Sequence, residues 1–518
     1  FKPFGITVSA AMLTSLLVAR TLSPVLAIYW LKAKPSSPPP SQSRIWLEFE
    51  QVYRNLLAWS LQHRLIVIGL AVGSLIAGIA LIPLIPKGFI PKLDRGEFNI
   101  VYTGTLPSLP GDLGQEVPAG VGQPGGQAGQ TEQKGQKDKL GNSSSVAALV
   151  ASSSSIPIPN PLNDSLDVAK KLEVVVRKSP AVAIVFTTVG SREGEPNKGT
   201  LYVKLKADRK VTTAEVQDQL RATLPKLAGV TTSVEDIQFV DTGGQKPLQV
   251  ALQGKDLKAL TTAAKAVKAR IEKISGFADV TITGESHQQD TILQIERLNH
   301  QRVVFIWANQ GQDLTLGNAT DIVVSEAKAV IPAGVSLNLG GDSARQNQVF
   351  GSFGTTLGLS ALCIIVVLIW LFKSWVDPIV IGLSLPLAIV GALLALLFTK
   401  SDFGMISLIG FVFLLGITNK NAILIVDYIN QLRDSGIEKT EAILKAGPVR
   451  LRPIMMTTAA TILGMVPIAL GLGAGSELRS PMAVSIAGGL VSSTILSLFV
   501  VTVFYAILDD WFPRRKVN

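Results

Sequence analysis

The 518 residues include one cysteine, three histidines and six methionines. A lone Cys363 excludes an intrachain disulfide framework, and within its apolar run the thiol reads as a small packing group. His63, His287 and His300 are scattered, so neither a histidine metal site nor a catalytic pair is expected. No Gly-x-x-x-x-Gly-Lys-Ser/Thr loop occurs, which removes the usual phosphate cradle of nucleotide-driven machines. Charged residues make up only 17% of the chain against 47% hydrophobic, and the mean hydropathy is +0.38. What fills the chain instead is long apolar runs.

A bilayer asks for about 20 largely apolar residues per helix. Seven runs meet that demand: Phe4 to Leu31, Leu65 to Leu84, Phe353 to Phe372, Ile379 to Phe398, Phe403 to Tyr428, Ile454 to Gly475 and Met482 to Leu508. Prolines predict local breaks at Leu383 to Pro386 and at Pro467. The net charge of +10 is distributed one-sidedly. Lys32, Lys34, Arg44, Arg54 and Arg64 lie between the first two spans, Arg433, Lys439, Lys445, Arg450 and Arg452 between the fifth and sixth, and Arg514, Arg515 and Lys516 after the last. The opposite short loops carry little beyond Lys400 and Arg479. That asymmetry places these loops in the cytoplasm and residues 88–350 outside, and it removes nucleic acid as the reason for the basic balance. The chain opens at Phe1 almost directly into a span, without a recognisable signal peptide, as an incomplete polypeptide would.

Pro35, Pro38, Pro39 and Pro40 predict an extended turn after the first span. Arg44 to Gln62 sets Trp46, Phe49, Tyr53 and Leu57 among polar residues, the pattern of an amphipathic helix on the membrane surface. In the outer segment, Glu97 to Tyr102 reads as a strand. A Gly/Gln/Ser-rich tract over 109–155 follows, too poor in apolar surface to pack. Helix Asn163 to Lys178, strands Ala181 to Thr188 and Thr200 to Lys206, helix Thr212 to Leu224 and strand Thr231 to Val240 complete a βαββαβ order. A second pass runs from Pro247 to Leu339, with helices at Leu257 to Ile274 and Leu314 to Ile331. The fold class is therefore a polytopic α-helical membrane protein carrying an α/β region of two ferredoxin-like units.

The sharpest local signal is Gly416-Ile417-Thr418-Asn419-Lys420-Asn421-Ala422-Ile423-Leu424-Ile425-Val426-Asp427. An ammonium in such a run needs a counter-charge or a wet cavity, unless its stem reaches the interface. Asp427 shares nearly the same helical face but lies about 10 Å along the axis, so it reads as an interfacial group. The next span opens at Arg450-Leu451-Arg452-Pro453-Ile454-Met455-Met456-Thr457-Thr458, with Thr457 and Thr461 on one face. Threonines there can hold water beside a charge or bond between helices.

These two runs, together with Gly473-Ala474-Gly475-Ser476-Glu477 and Glu296-Arg297-Leu298-Asn299, make the chain resemble the C-terminal half of an RND superfamily efflux permease of the acriflavine-resistance type. The resemblance covers nearly all 518 residues. It implies that residues 1–31 correspond to the sixth span, 32–64 to a cytoplasmic linker and surface helix, 65–87 to the seventh span, 88–350 to a periplasmic porter region, 351–510 to spans eight to twelve, and 511–518 to a cytoplasmic tail. Residues 96–242 and 246–340 then resemble the third and fourth porter subdomains.

The resemblance also implies a proton relay of Lys420, Thr457 and Arg450, with Asn421, Asp427 and Thr461 as relay or packing residues. It implies no cofactor, a proton gradient as the energy source, and export of amphiphilic organic compounds. A heavy-metal exporter half, or an inactive truncated fragment, is the alternative. The implied partners are an N-terminal half bearing two relay aspartates, two further copies in a homotrimer, and a periplasmic adaptor with an outer-membrane channel. In the family a docking subdomain interrupts the fourth porter subdomain. Here Thr283 is followed by only Gly284 to Asp290 before Glu296, so that subdomain is missing and direct docking through this half is not expected.

Overall fold

The computed structural model describes residues 2–30, 44–91, 94–104, 161–191, 194–237, 246–283, 296–311, 314–472 and 475–512. The proline-rich turn, the tract 109–155, the link 284–290, Gly473, Ala474 and the tail after Phe512 lie outside the described residues.

Hydrocarbon offers no partner for backbone groups, so apolar runs become helices that satisfy themselves. The chain begins with α1 (Lys2–Arg20) and α2 (Leu22–Trp30), which form one run with a turn at Thr21. Helix α3 (Arg44–Gln62) buries Tyr53, Leu57, Ser60 and Leu61 and turns Phe49, Val52, Leu56 and Trp59 outward. Helix α4 (Arg64–Leu81) is a second span.

The first outer unit follows as β1 (Glu97–Gly104), α5 (Pro161–Arg177), β2 (Val182–Val189), β3 (Lys198–Leu205), α6 (Thr213–Thr223) and β4 (Val230–Asp236). Its sheet order is β2-β3-β1-β4, antiparallel throughout. Alternation puts Phe98, Ile100 and Tyr102 on one face with Leu201 and Val203, under Leu172 and Val176 of α5 and Val216 of α6. Each such fully buried side chain contributes roughly 1.5–3 kcal/mol. Gly199 is glycine for space: an added Cβ would sit 2.2 Å from the Tyr102 hydroxyl, which itself bonds the Ser165 carbonyl at 3.0 Å. Thr212 and Glu215 form a capping box that starts α6.

The second unit repeats the order as β5 (Leu248–Gly254), α7 (Leu257–Ile271), β6 (Phe277–Ile282), β7 (Glu296–Leu298), β8 (Gln301–Gln310), α8 (Leu316–Lys328) and β9 (Val335–Gly340). Its sheet runs β6-β8-β5-β9, with the short β7 paired to β8. The core is Leu252, Leu260, Val267 and Ile306 with Val323 of α8.

Five spans close the chain. They are α9 (Gly341–Phe372), the pair α10 (Val376–Gly382) and α11 (Ser384–Phe398), α12 (Met405–Asp434), α13 (Lys439–Ala469), and α14 (Ser476–Leu496) continued through a π-turn at Ser497–Val501 into α15 (Thr502–Trp511). The first expected break occurs at Leu383, and Pro386 then falls in the first turn of α11, where its missing N–H costs no bond. The break expected at Pro467 is absent: α13 runs to Ala469 through Pro448, Pro453 and Pro467, as membrane helices allow when neighbours re-satisfy the freed carbonyls.

α11, α12 and α14 form the inner layer, with more than half of each apolar window buried. α11 and α14 meet at Gly391 and Gly488, where a Cβ on either would come within 2.6 Å of the other's carbonyl oxygen. Small residues at that crossing let the two backbones touch. α1, α2, α4, α9 and α13 form an outer layer that is mostly uncovered.

The chain leaving α4 ties membrane to outer region. Successive carbonyls accept from separate elements: Pro86 from the Phe403 N–H at 2.9 Å, Lys87 from the Gly317 N–H at 2.8 Å, and Phe89 from the Met405 N–H at 3.1 Å. The Gly88 carbonyl accepts from Gln346 Nε2 at 2.9 Å. The start of α12 is thereby fixed to α8 of the second unit.

Candidate functional site

Lys420 stands at the midpoint of α12, roughly 21–22 Å along the axis from either end of the helix. Against a hydrocarbon core of about 30 Å, that depth is beyond the reach of a lysine stem to water when α12 is centred in the bilayer. Its neighbours Thr418, Asn419 and Asn421 are buried against α11, α13 and α14, whereas Lys420 itself is only partly covered and Gly416, one turn before it, is exposed. Among the described residues the spans hold ion pairs of Arg64 and Lys439 with Asp510 and of Arg433 with Asp509 at the end bearing the basic loops, and of Arg345 with Asp342 at the outer start of α9. Lys420 takes part in none of them.

The flanking amide explains why α12 holds this orientation. Asn421 Nδ2 donates to Thr494 Oγ1 at 3.2 Å and to Thr458 Oγ1 at 3.5 Å, and the two threonine hydroxyls lie 3.2 Å apart. One buried amide thus joins α12, α13 and α14. Asn421 meets Thr458 across two antiparallel spans, so Lys420 and Thr457, each one position earlier, lie within about 3 Å of each other in depth. Both lie on the side that the rest of the chain leaves open.

Thr457 is exposed, and its hydroxyl donates to the Ile454 carbonyl at 3.1 Å. The Thr461 hydroxyl bonds back to the Thr457 carbonyl at 2.8 Å. Arg450 lies two turns before Thr457 with its guanidinium 4.5 Å from the centre of the Tyr428 ring. Its buried Nε has no hydrogen-bond partner among the described residues. Asp427 accepts from Gln431 Nε2 at 2.7 Å on its own helix and does not meet Lys420. The structure therefore sets Lys420, Thr457 and Thr461 along one open face, turns Asn421 inward as a packing hub, and leaves Asp427 apart.

Sequence reasoning missed Thr494, which has no distinguishing local pattern, and passed over Thr458, one residue beyond Thr457. It also missed a second buried polar chain near the basic-loop end. There Asn430 Nδ2 donates to Asp377 at 3.4 Å, the Tyr505 hydroxyl donates to Asn430 Oδ1 at 2.8 Å, and Arg433 joins Tyr505 at 3.2 Å and Asp509 at 2.5 Å. Asp377 is fully buried. The signal for it is an acid in the first turn of an apolar span, two residues past Trp375.

In the outer region, two groups with shifted affinities, Glu235 and Lys246, lie where the two units meet. Burial pushes the Glu235 carboxyl up, against the pull of Lys246, and burial pushes the Lys246 ammonium down, against Glu235 and Asp279. Among the described residues no group of three or more His, Cys, Asp or Glu side chains is placed to hold a metal ion.

Among the described residues, seven long apolar helices with one basic side and a two-sheet region on the other define a multi-pass protein of a bacterial inner membrane with a large periplasmic part. The profile of the AcrB/AcrD/AcrF family matches residues 1–110, 146–295 and 284–509, and the chain belongs to that family of RND efflux permeases, which are secondary transporters and not enzymes. The unmatched 111–145 falls inside the Gly/Gln/Ser-rich tract, and the second and third stretches overlap at 284–295.

Multidrug resistance protein MdtC of Pectobacterium carotovorum subsp. carotovorum is 27% identical over 98% of this chain and 54% of its own length. The protein of the same name from Pantoea ananatis is 26% identical over 100% and 54%. The chain thus spans about half the length of the curated relatives it matches. An X-ray crystal structure of a heavy metal efflux pump superposes with a TM-score of 0.70 at 19% identity, covering 98% of this chain and 56% of that one, which shows a shared fold.

Proposed function

We propose that the chain is the C-terminal half of a proton-driven exporter of amphiphilic organic compounds, working with an N-terminal half that carries the counter-charge of Lys420. The observation that carries this reading is an ammonium at mid-depth on an open helix face, with no carboxylate paired to it among the described residues. A charge at such a position costs about 2.5–3.5 kcal/mol on insertion scales and is kept where it pairs across a bundle or a wet cavity. On this reading, carboxylates from the other half hold Lys420 when ionised and release it when protonated. Thr457 and Thr461 line the path, and Arg450 guards its cytoplasmic approach. Movement of α12 then passes to the second outer unit through the backbone bonds at Pro86 to Phe89.

The two outer units serve as ferredoxin-like porter subdomains, a reading supported by the repeated βαββαβ order and by the β2-β3-β1-β4 and β6-β8-β5-β9 sheets. The short link between Thr283 and Glu296 supports a porter without its docking insertion, so contact with an outer-membrane channel would run through an adaptor. Membership of the family supports assembly as a homotrimer of the complete transporter. An organic substrate is favoured by the name of the MdtC relatives and by the lack of methionine between Glu97 and Leu339, which leaves no soft thioether ligand for a metal cargo. The test is efflux in cells or vesicles holding the complete transporter. Lys420→Ala should abolish proton-coupled export while membrane level and assembly stay unchanged; unaltered export in that variant overturns the relay.

A further inference from the structure

The two outer units do not share a sheet: β4 is an edge of the first, and β6 is an edge of the second. An edge strand carries backbone groups that need a partner. Here the partner is made of side chains. Asp279 Oδ2 accepts the Val234 N–H at 3.2 Å and the Ser233 hydroxyl at 3.3 Å. Asn309 Nδ2, on β8, donates to the Val234 carbonyl at 3.2 Å, to Ser233 Oγ at 3.1 Å and to the same Asp279 oxygen at 3.0 Å. A carboxylate and an amide from the second unit thus occupy both hydrogen-bonding groups of one residue on the first unit's edge, as a neighbouring strand would.

The local backbone is shaped for this contact. The pairing of β6 with β8 slips between Ala278 and Thr281, and Asp279 inside that irregularity has φ +51°, a left-handed conformation that Asp tolerates better than most residues. Lys246 Nζ fixes the displaced loop from behind, donating to the Asp279 carbonyl at 2.5 Å and to Thr281 Oγ1 at 3.3 Å. From the first unit, Arg221 holds the Val234 carbonyl at 2.8 Å and brings its Nε to 3.5 Å from the Asp279 carboxylate. Hydrogen bonds with an ionised partner are the strong ones, and these lie at a largely buried seam.

We propose that Asp279 and Asn309 form a side-chain clamp on β4 that sets the angle between the two outer units. The experiment uses the full chain in lipid with Cys363→Ser and spin labels at the exposed Lys171→Cys of α5 and Lys328→Cys of α8. A control pair within the second unit sits at Lys258→Cys and Lys328→Cys. Asp279→Gly removes the carboxylate and also relieves the left-handed backbone, so a loss cannot be assigned to strain. The expected result is one narrow inter-unit distance in the parent, a broadened and shifted one in Asp279→Gly and in Asn309→Ala, and a near-parental one in Asp279→Asn, which keeps an acceptor and tolerates the conformation. An unchanged narrow distance in both Asp279→Gly and Asn309→Ala overturns the clamp. So does a shift of the control distance in step with the inter-unit one, which would make these residues part of the second unit's own fold.

Discussion

In the first outer unit Leu172, Val176, Leu201 and Val203 are fully buried, whereas along α9 equally apolar side chains, Leu359, Leu362, Val366 and Trp370, are more than half exposed. The outer units face water and must finish their own cores. The spans face hydrocarbon, where an uncovered leucine loses nothing and close packing of small residues does the joining. Burial is therefore a measure of completeness in one region and not in the other. What stands out in the spans is a polar group on an uncovered face, and Lys420 with Thr457 and Thr461 is that group.

The comparison predicts unequal responses to the same truncation. Leu172→Ala should cost about 2–5 kcal/mol and Leu359→Ala less than about 0.5 kcal/mol, read by denaturant unfolding of the chain in detergent. Equal losses would break the contrast. A smaller effect is expected at the Asn421 hub: Asn421→Leu should lower stability by about 1 kcal/mol, because interhelical hydrogen bonds in membranes average well below those of a water-excluded core. A double-mutant cycle with Thr494→Val should then be non-additive, since the two share one bond.

The smallest effect is an acid one, confined to the first outer unit. Burial pulls the Asp94 carboxyl upward, but hydrogen bonds from Thr213 and Arg209 and the Arg209 charge bring it below its ordinary 3.8. A depressed carboxyl adds stability above the ordinary value, and that contribution is lost as pH falls from 3.8 through the folded value. Hydrogen exchange across β1 and α6 should show this acid limb, and Asp94→Asn should flatten it.

Much of the architecture was legible because period is a local property. Alternation announced β1 from Glu97, helix α3 has the bounds read from its amphipathic pattern, and the first outer pass keeps the expected order of strands and helices, while the second adds the short, unexpected β7. Proline was a poorer guide in the spans. Pro467 suggested a break, yet the surrounding helices let α13 continue to Ala469. The π-turn at Ser497–Val501 has no sequence mark; within it the Leu498 carbonyl accepts from the Tyr53 hydroxyl of α3 at 3.3 Å. Hydropathy did not fix the cytoplasmic end of the span, but the place of Lys420 within an apolar run was readable from the sequence. Its neighbours' partners were not, since Thr494 reaches Asn421 across 73 residues of chain and only the helix crossings decide the meeting.

The account turns on Lys420 being out of reach of water on the cytoplasmic side. In sealed membranes of the Cys363→Ser chain, a charged, membrane-impermeant maleimide applied from the cytoplasmic face should leave Lys420→Cys unlabelled while labelling the exposed Lys445→Cys rapidly. Equal labelling of the two positions would place the ammonium in cytoplasmic water and contradict a buried charge awaiting its partner.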